Sequence, residues 1–267
     1  MAHSIRVEKD VSLFVEDIGE GQPIVFIHGW PVNHKMFEYQ MNELPKKGYR
    51  CIGIDLRGFG KSDKPAFGYD YDTLAQDVKK VIDSLQLSNV FVAGFSMGGP
   101  IAIRYATKFA GDELKQLILM GAAAPSFTQR SGYDVGMKKE DVDELITSIQ
   151  ADRPQAIKDF GSAFFYSDVS DSLANWFLGL GLEASAYGTI AAAESLRDED
   201  LREEVTKVSV PTLLMHGKKD EICDFAFSEK LHEAIPNSTL IPFENSGHGL
   251  IYDEKEACNQ ALLNLLR

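Results

Sequence analysis

The segment Gly94-Phe95-Ser96-Met97-Gly98-Gly99 constrains this chain more than any other. Before it stands Asn89-Val90-Phe91-Val92-Ala93, short, β-branched and aromatic, which reads as a buried strand. Residues 100–109 after it carry a helical pattern. A serine between strand and helix sits on a tight turn at the C-terminal edge of a sheet. Gly94 and Gly98 remove the side chains that would clash in that turn. The segment therefore predicts an α/β chain that holds the Ser96 hydroxyl out from a sheet edge.

The rest of the sequence supplies that sheet. Residues 6–9 and 12–17 alternate like a hairpin. Ile24-Val25-Phe26-Ile27 is a continuous apolar strand, and Arg50-Cys51-Ile52-Gly53-Ile54, Leu117-Ile118-Leu119-Met120, Thr212-Leu213-Leu214-Met215 and Thr239-Leu240-Ile241 repeat the signal. Helical stretches fall at residues 37–47, 73–85 and 254–267, the second marked by Leu74, Val78, Val81, Ile82 and Leu85. Apolar strands alternating with helices predict a mostly parallel, twisted sheet covered on both faces. Residues 124–206 break the alternation. They are helical in pattern, rich in aromatics (Phe127, Phe160, Phe164, Phe165, Tyr166, Trp176, Phe177) and too long for an ordinary connection. They are expected to form a helical cap inserted over the sheet edge, with residues 1–123 and 207–267 as the core.

Composition narrows the partners. With 27 basic and 40 acidic residues the net charge is −13, which repels phosphates and argues against nucleic-acid or anionic-membrane binding. Cys51, Cys223 and Cys258 are odd in number and widely spaced, which speaks against a disulfide framework or a zinc site and for a reducing, cytoplasmic setting. The polar N-terminal residues carry no secretory signal pattern, and no apolar run is long enough to span a bilayer. No group of residues has metal-ligand spacing, so neither metal nor cofactor is expected.

A serine hydroxyl needs a base. His248, in Asn245-Ser246-Gly247-His248-Gly249 after the last strand, is the candidate; His3, His34, His216 and His232 are weaker, His34 near an entrance and His216 as a structural strand end. The base needs a carboxylate to fix its tautomer and stabilise its cation. Asp220 follows Thr212-Leu213-Leu214-Met215 through His216-Gly217-Lys218-Lys219, giving the chain order Ser96, Asp220, His248. Glu221 and Asp224 are neighbours, and Asp55 belongs to a turn read as structural. The position after the preceding strand reads Gly121-Ala122-Ala123-Ala124, with no acid. Oxyanion donors are expected from the N–H of Met97, at the start of the helix that follows Ser96, and of Trp30, in His28-Gly29-Trp30-Pro31. Pro31 has no N–H to offer and restricts the residue before it; a cis Trp30–Pro31 bond is the accompanying expectation.

These segments, with Phe37-Glu38-Tyr39-Gln40-Met41 and Asp55-Leu56-Arg57-Gly58-Phe59-Gly60-Lys61-Ser62, resemble the α/β-hydrolases over the whole chain, and more narrowly the cofactor-free bacterial haloperoxidases, perhydrolases and aryl esterases. The resemblance implies an α/β-hydrolase fold and hydrolysis of small carboxylic esters through an acyl-enzyme, with hydrogen peroxide able to replace water. It implies that Pro31 favours perhydrolysis, and that Trp30, Pro31, Phe127, Phe160, Phe164, Ile222 and Phe225 line the acyl pocket. Self-association is implied on the same ground only.

Two other readings compete. An enol-lactonase or carbon–carbon-bond hydrolase would want basic groups such as Arg130, Arg153 or Lys158 for acidic substrates. A non-catalytic small-molecule receptor would need no complete catalytic set.

Overall fold

The computed structural model describes residues 1–266. Its strands are β1 (Ala2–Glu8), β2 (Val11–Gly19), β3 (Gln22–Ile27), β4 (Tyr49–Ile54), β5 (Val90–Phe95), β6 (Leu114–Met120), β7 (Thr212–Gly217) and β8 (Ser238–Phe243). They form one eight-stranded sheet in the order β1-β2-β4-β3-β5-β6-β7-β8. The pairs β1/β2 and β2/β4 are antiparallel; every other pair is parallel. The antiparallel start is the expected hairpin, with β1 beginning four residues earlier and ending one residue earlier than expected, and β2 one residue longer at its start and two at its end.

The central strands are apolar through most of their length because helices cover both faces. Every residue of β5 is buried, and Ile24 to Ile27 of β3 are fully enclosed. The helices are α1 (Glu38–Glu43), α2 (Tyr71–Ser84), α3 (Gly98–Lys108), α4 (Lys139–Gly161), α5 (Asp171–Leu182), α6 (Ala186–Asp198), α7 (Ala226–Ala234), α8 (Leu250–Asp253) and α9 (Lys255–Leu263). On α2 the spacing of Leu74, Val78, Val81 and Ile82 produces the buried face. This helix starts two residues before the expected Thr73, because the Asp70 side chain accepts the Thr73 N–H at 2.9 Å and caps it.

Two stretches differ from the single helices expected of them. Residues 37–47 contribute to a 3-10 turn (His34–Phe37), α1 and a second 3-10 turn (Leu44–Lys47) that contains Pro45, which has no N–H for an α-helical bond. The C-terminal segment divides into α8, α9 and a 3-10 turn at Asn264–Leu266, and Arg267 of the expected helix lies outside the described residues. Helices α4, α5 and α6 all fall between β6 and β7. Helix α4 kinks at Asp152 (φ −152°, ψ 85°), whose side chain caps the restart by accepting the Gln155 N–H at 3.2 Å, with Pro154 in the first turn after the break.

Candidate active site

Ser96 stands between β5 and α3 with φ +51°, in the left-handed region that non-glycine residues rarely occupy. The turn is held by its neighbours: the Ser96 N–H donates to the Met120 carbonyl at 3.0 Å, and the Ser96 carbonyl accepts from Gly99 and Ala123 N–H at 2.9 and 3.0 Å. Two glycines make the close approaches possible. A Cβ on Gly98 would lie 2.2 Å from the Ile27 carbonyl oxygen, and one on Gly29 would lie 2.9 Å from the Ser96 Cβ. The loop after β3 thus passes against the serine.

Asp220 follows β7 and its carboxylate is fully buried. Oδ1 accepts the N–H groups of Ile222 and Cys223 at 2.9 and 2.8 Å. Oδ2 lies 2.7 Å from His248 Nδ1 and 3.2 Å from His216 Nε2. Burial alone would push this carboxyl up; the charge of His248 and the hydrogen bonds from His216 and His248 outweigh it and hold the group well below the usual carboxylate range. His248, in the loop after β8, is buried edge-on against Phe95 at 4.9 Å and Phe164 at 5.6 Å. Because Asp220 is an acceptor only, the bond places a proton on Nδ1 and leaves Nε2 of the neutral ring as the basic nitrogen. The Cys223 thiol is raised far above its ordinary range by burial and by the Asp220 charge, with its contact to the Ser96 side chain acting the other way.

The Trp30–Pro31 peptide is cis, as expected; a second cis bond, Ala124–Pro125, had no sequence signal. The Trp30 indole N–H donates to the Thr189 carbonyl of α6 at 2.8 Å, and its ring meets Phe160 of α4 edge-on at 4.9 Å. Among the described residues neither the Trp30 nor the Met97 backbone N–H has a protein acceptor. His28 locks the same loop from below: its Nδ1–H donates to Gly29 O at 2.9 Å and its Nε2 accepts the Leu56 N–H at 3.0 Å.

A cavity of about 400 Å³ opens beside these groups, lined by Trp30, Pro31, Phe160, Phe164, Phe177 and His248 among others. Phe127, Ile222 and Phe225 stand apart from it. Phe127 is held by a hydrogen bond from Met137 N–H to its carbonyl and stacks on Phe227 of α7 at 6.5 Å. Phe225 packs against His216 at 5.7 Å with Lys218 Nζ 3.5 Å above its ring. Ile222 lines a separate groove with Glu221, Asp224 and Phe227. The wall that sequence reasoning missed comes from α5, where Ala174, Phe177, Leu178 and Gly181 all line the cavity. Their spacing of 3, 4 and 7 was the available signal.

The other weighed residues divide similarly. Arg130 is committed to the carbonyls of Arg197 and Glu199, Arg153 donates to the Leu182 carbonyl at 3.4 Å, and only Lys158 reaches the cavity. His34 is buried against Asp55 and Glu16, away from the cavity. Asp55 accepts the His34 and Lys61 N–H groups and organises its turn. Among the described residues no group of three or more His, Cys, Asp or Glu side chains could hold a metal ion, and no helix is long and apolar enough to cross a membrane.

Residues 22–255 match the family model of the alpha/beta hydrolase fold, and the chain belongs to that family of enzymes. It is similar to the AB hydrolase superfamily protein YisY of Bacillus subtilis (strain 168), at 58% identity over 98% of each chain. It is 34% identical to a putative non-heme chloroperoxidase of Synechocystis sp., over 96% of this chain and 95% of that one. Among solved structures, the esterase EaEST from Exiguobacterium antarcticum superposes with a TM-score of 0.98 at 50% identity, covering 99% of both chains.

Proposed function

We propose that this protein is a serine hydrolase of small carboxylic esters, working through an acyl-enzyme that either water or hydrogen peroxide resolves. The observation that carries the reading is the 2.7 Å contact between Asp220 and His248, the latter bordering an aromatic cavity of about 400 Å³. In the first half-reaction His248 Nε2 takes the Ser96 proton as Oγ attacks the ester carbonyl. The Met97 and Trp30 N–H groups receive the oxyanion. Such donors are worth roughly 3–4 kcal/mol each in the transition state. His248 then protonates the leaving alcohol, and an acyl group remains on Ser96 Oγ.

In the second half-reaction His248 removes a proton from water, giving a carboxylic acid, or from hydrogen peroxide, giving a peracid; either way the Ser96 hydroxyl is restored. A peracid leaving the site oxidises halide in solution. The similarity to an esterase and to a putative non-heme chloroperoxidase supports both branches. In this reading residues 124–206 act as a cap whose aromatics restrict the acyl group to short chains such as acetyl.

The test is p-nitrophenyl acetate hydrolysis by wild type and Ser96→Ala, with and without hydrogen peroxide. The expected result is turnover by wild type, peracid formation with peroxide, and loss of both in the variant. A Ser96→Ala protein that keeps the wild-type rate overturns the acyl-enzyme route.

A further inference from the structure

Two histidines approach one oxygen of Asp220, His248 at 2.7 Å and His216 at 3.2 Å. His216 is the penultimate residue of β7 and lies four residues before Asp220, across the turn from His248. Its Nε2 stands 2.6 Å from the Cys223 carbonyl and 3.2 Å from Asp220 Oδ2. Both partners are acceptors, so this nitrogen carries a proton, which it donates to the Cys223 carbonyl while standing within ion-pair distance of Asp220 Oδ2. The ring is almost wholly buried and stacks edge-on against Phe225. The Asp220 carboxylate therefore accepts three hydrogen bonds, from the Ile222 and Cys223 amides on one oxygen and His248 on the other, with His216 Nε2 3.2 Å from the oxygen that His248 uses.

Resting on the reading of Ser96, Asp220 and His248 as a catalytic unit, we infer that His216 is a positioning residue for that reaction. It holds Oδ2 in register with His248 and takes a share of its negative charge. A carboxylate oxygen bonded by one imidazole spends all its polarisation on that partner, and a second N–H on the same oxygen weakens the pull. With His216 present, Asp220 orients His248 without over-stabilising its cation, so the base is released in its neutral form at lower pH. The ionisable groups around His216 are Asp220 and Cys223 on the turn, His248 across the carboxylate, Lys218 beyond Phe225, and Tyr71 and Tyr133 behind Cys223. Among these only His248 shares an Asp220 oxygen with His216.

The experiment is the pH dependence of kcat/KM for p-nitrophenyl acetate in wild type, His216→Phe, His216→Gln and Phe225→Leu. Phenylalanine keeps the ring but offers no donor. Glutamine restores an N–H. Phe225→Leu, at a half-buried position, removes the surface on which His216 stacks. In His216→Phe the acid limb of the profile is expected to move up by about 0.5–1 pH unit, and kcat to fall roughly tenfold with little change in KM. Glutamine brings the limb back toward wild type. Phe225→Leu moves it in the same direction as His216→Phe by less, and decides the matter should His216→Phe not fold.

Superimposed acid limbs in wild type and the folded variants, or a glutamine variant no better than phenylalanine, overturn the assignment. Asp220→Asn separates the two levels of the argument. If it is nearly inactive while the His216 and Phe225 variants keep the wild-type profile, the inference alone falls. If it turns over like wild type, the catalytic unit falls with it.

Discussion

The Gly249 N–H donates to the Phe164 carbonyl at 2.7 Å, which fixes the residue after His248 to the wall of the aromatic cavity. A Cβ on Gly249 would stand 2.7 Å from the Phe164 ring, so the two backbones come this close only because no side chain intervenes. Asp253 of α8 closes a second tie. It accepts the Gly247 N–H at 2.9 Å from the histidine loop, and the Tyr166 and Ser167 N–H groups at 3.1 and 3.0 Å from the insertion. One carboxylate thus joins the loop carrying His248 to the segment carrying Phe164.

Asp253→Ala leaves three backbone donors without their acceptor. The expected cost is about 2 kcal/mol of stability, of the order found when hydrogen bonds to a charged group are lost. Turnover of p-nitrophenyl acetate should fall alongside it, as the His248 loop loses its anchor. Asp253→Asn, which keeps one acceptor oxygen, should lose less on both counts. Urea unfolding and steady-state rates check this, and equal behaviour of the alanine variant and wild type would show that the Gly249–Phe164 bond suffices alone.

The cavity wall predicts a division between substitutions. Phe177→Ala removes a ring from the cavity and should shift the preference from acetyl toward butyryl or hexanoyl esters by roughly tenfold in relative kcat/KM, the scale set by one or two methylenes in an apolar pocket. Phe127→Leu, against Phe227 and away from the cavity, should leave the chain-length profile unchanged. A series of p-nitrophenyl esters measures both.

That division also marks how far the sequence could be read. Ser96 was legible because it directly follows the end of β5, where a strand end fixes where the next residue points; Asp220 and His248 were legible from chain order, in loops three and five residues past the ends of β7 and β8. The alternation of apolar strands and helices gave the sheet on the same principle. Phe127 and Phe225 lie in irregular segments, where no period dictates direction; one ring turned to α7 and the other to His216. Phe177 could have been placed, since its partners on α5 keep helical spacing. His216 read as a structural strand end, because nothing in linear order reveals that the turn after β7 folds Asp220 back onto it.

In the proposed reaction Pro31 is expected to bear on the choice between water and peroxide. It lines the cavity, and a Cβ on Gly181 would lie 3.4 Å from its Cγ, so the proline ring occupies the space between the oxyanion loop and α5. Leucine at this position restores a backbone N–H and frees φ, which allows the Trp30 carbonyl to turn from the incoming nucleophile. The ratio of perhydrolysis to hydrolysis in Pro31→Leu is expected to fall roughly tenfold, a difference of about 1.4 kcal/mol between two transition states. Peracid and acetate yields measured from one acyl donor check it, and an unchanged ratio removes Pro31 from the account.

His28 predicts how the fold responds to acid. It is fully enclosed between Gly29 and Leu56, and burial pushes its pKa from 6.5 down to about 4, with the nearby Asp55 charge acting the other way. Above the ordinary histidine range both folded and unfolded states hold this ring neutral. As pH falls from 6.5 toward 4 the unfolded chain takes up a proton that the native state refuses, so stability drops. The linkage amounts to about 2–3 kcal/mol between pH 7.5 and 4.5. Asp55 and Asp220, whose carboxyls are held below the usual range, lose their contributions only at lower pH, as it falls below the ordinary aspartate value and through their own. His28→Asn should therefore be less stable at pH 7.5, because it gives up a hydrogen bond on at least one side, yet lose less between pH 7.5 and 4.5 than wild type does. Urea unfolding at those two pH values separates the effects, and an equal slope in the two proteins would place the acid sensitivity elsewhere.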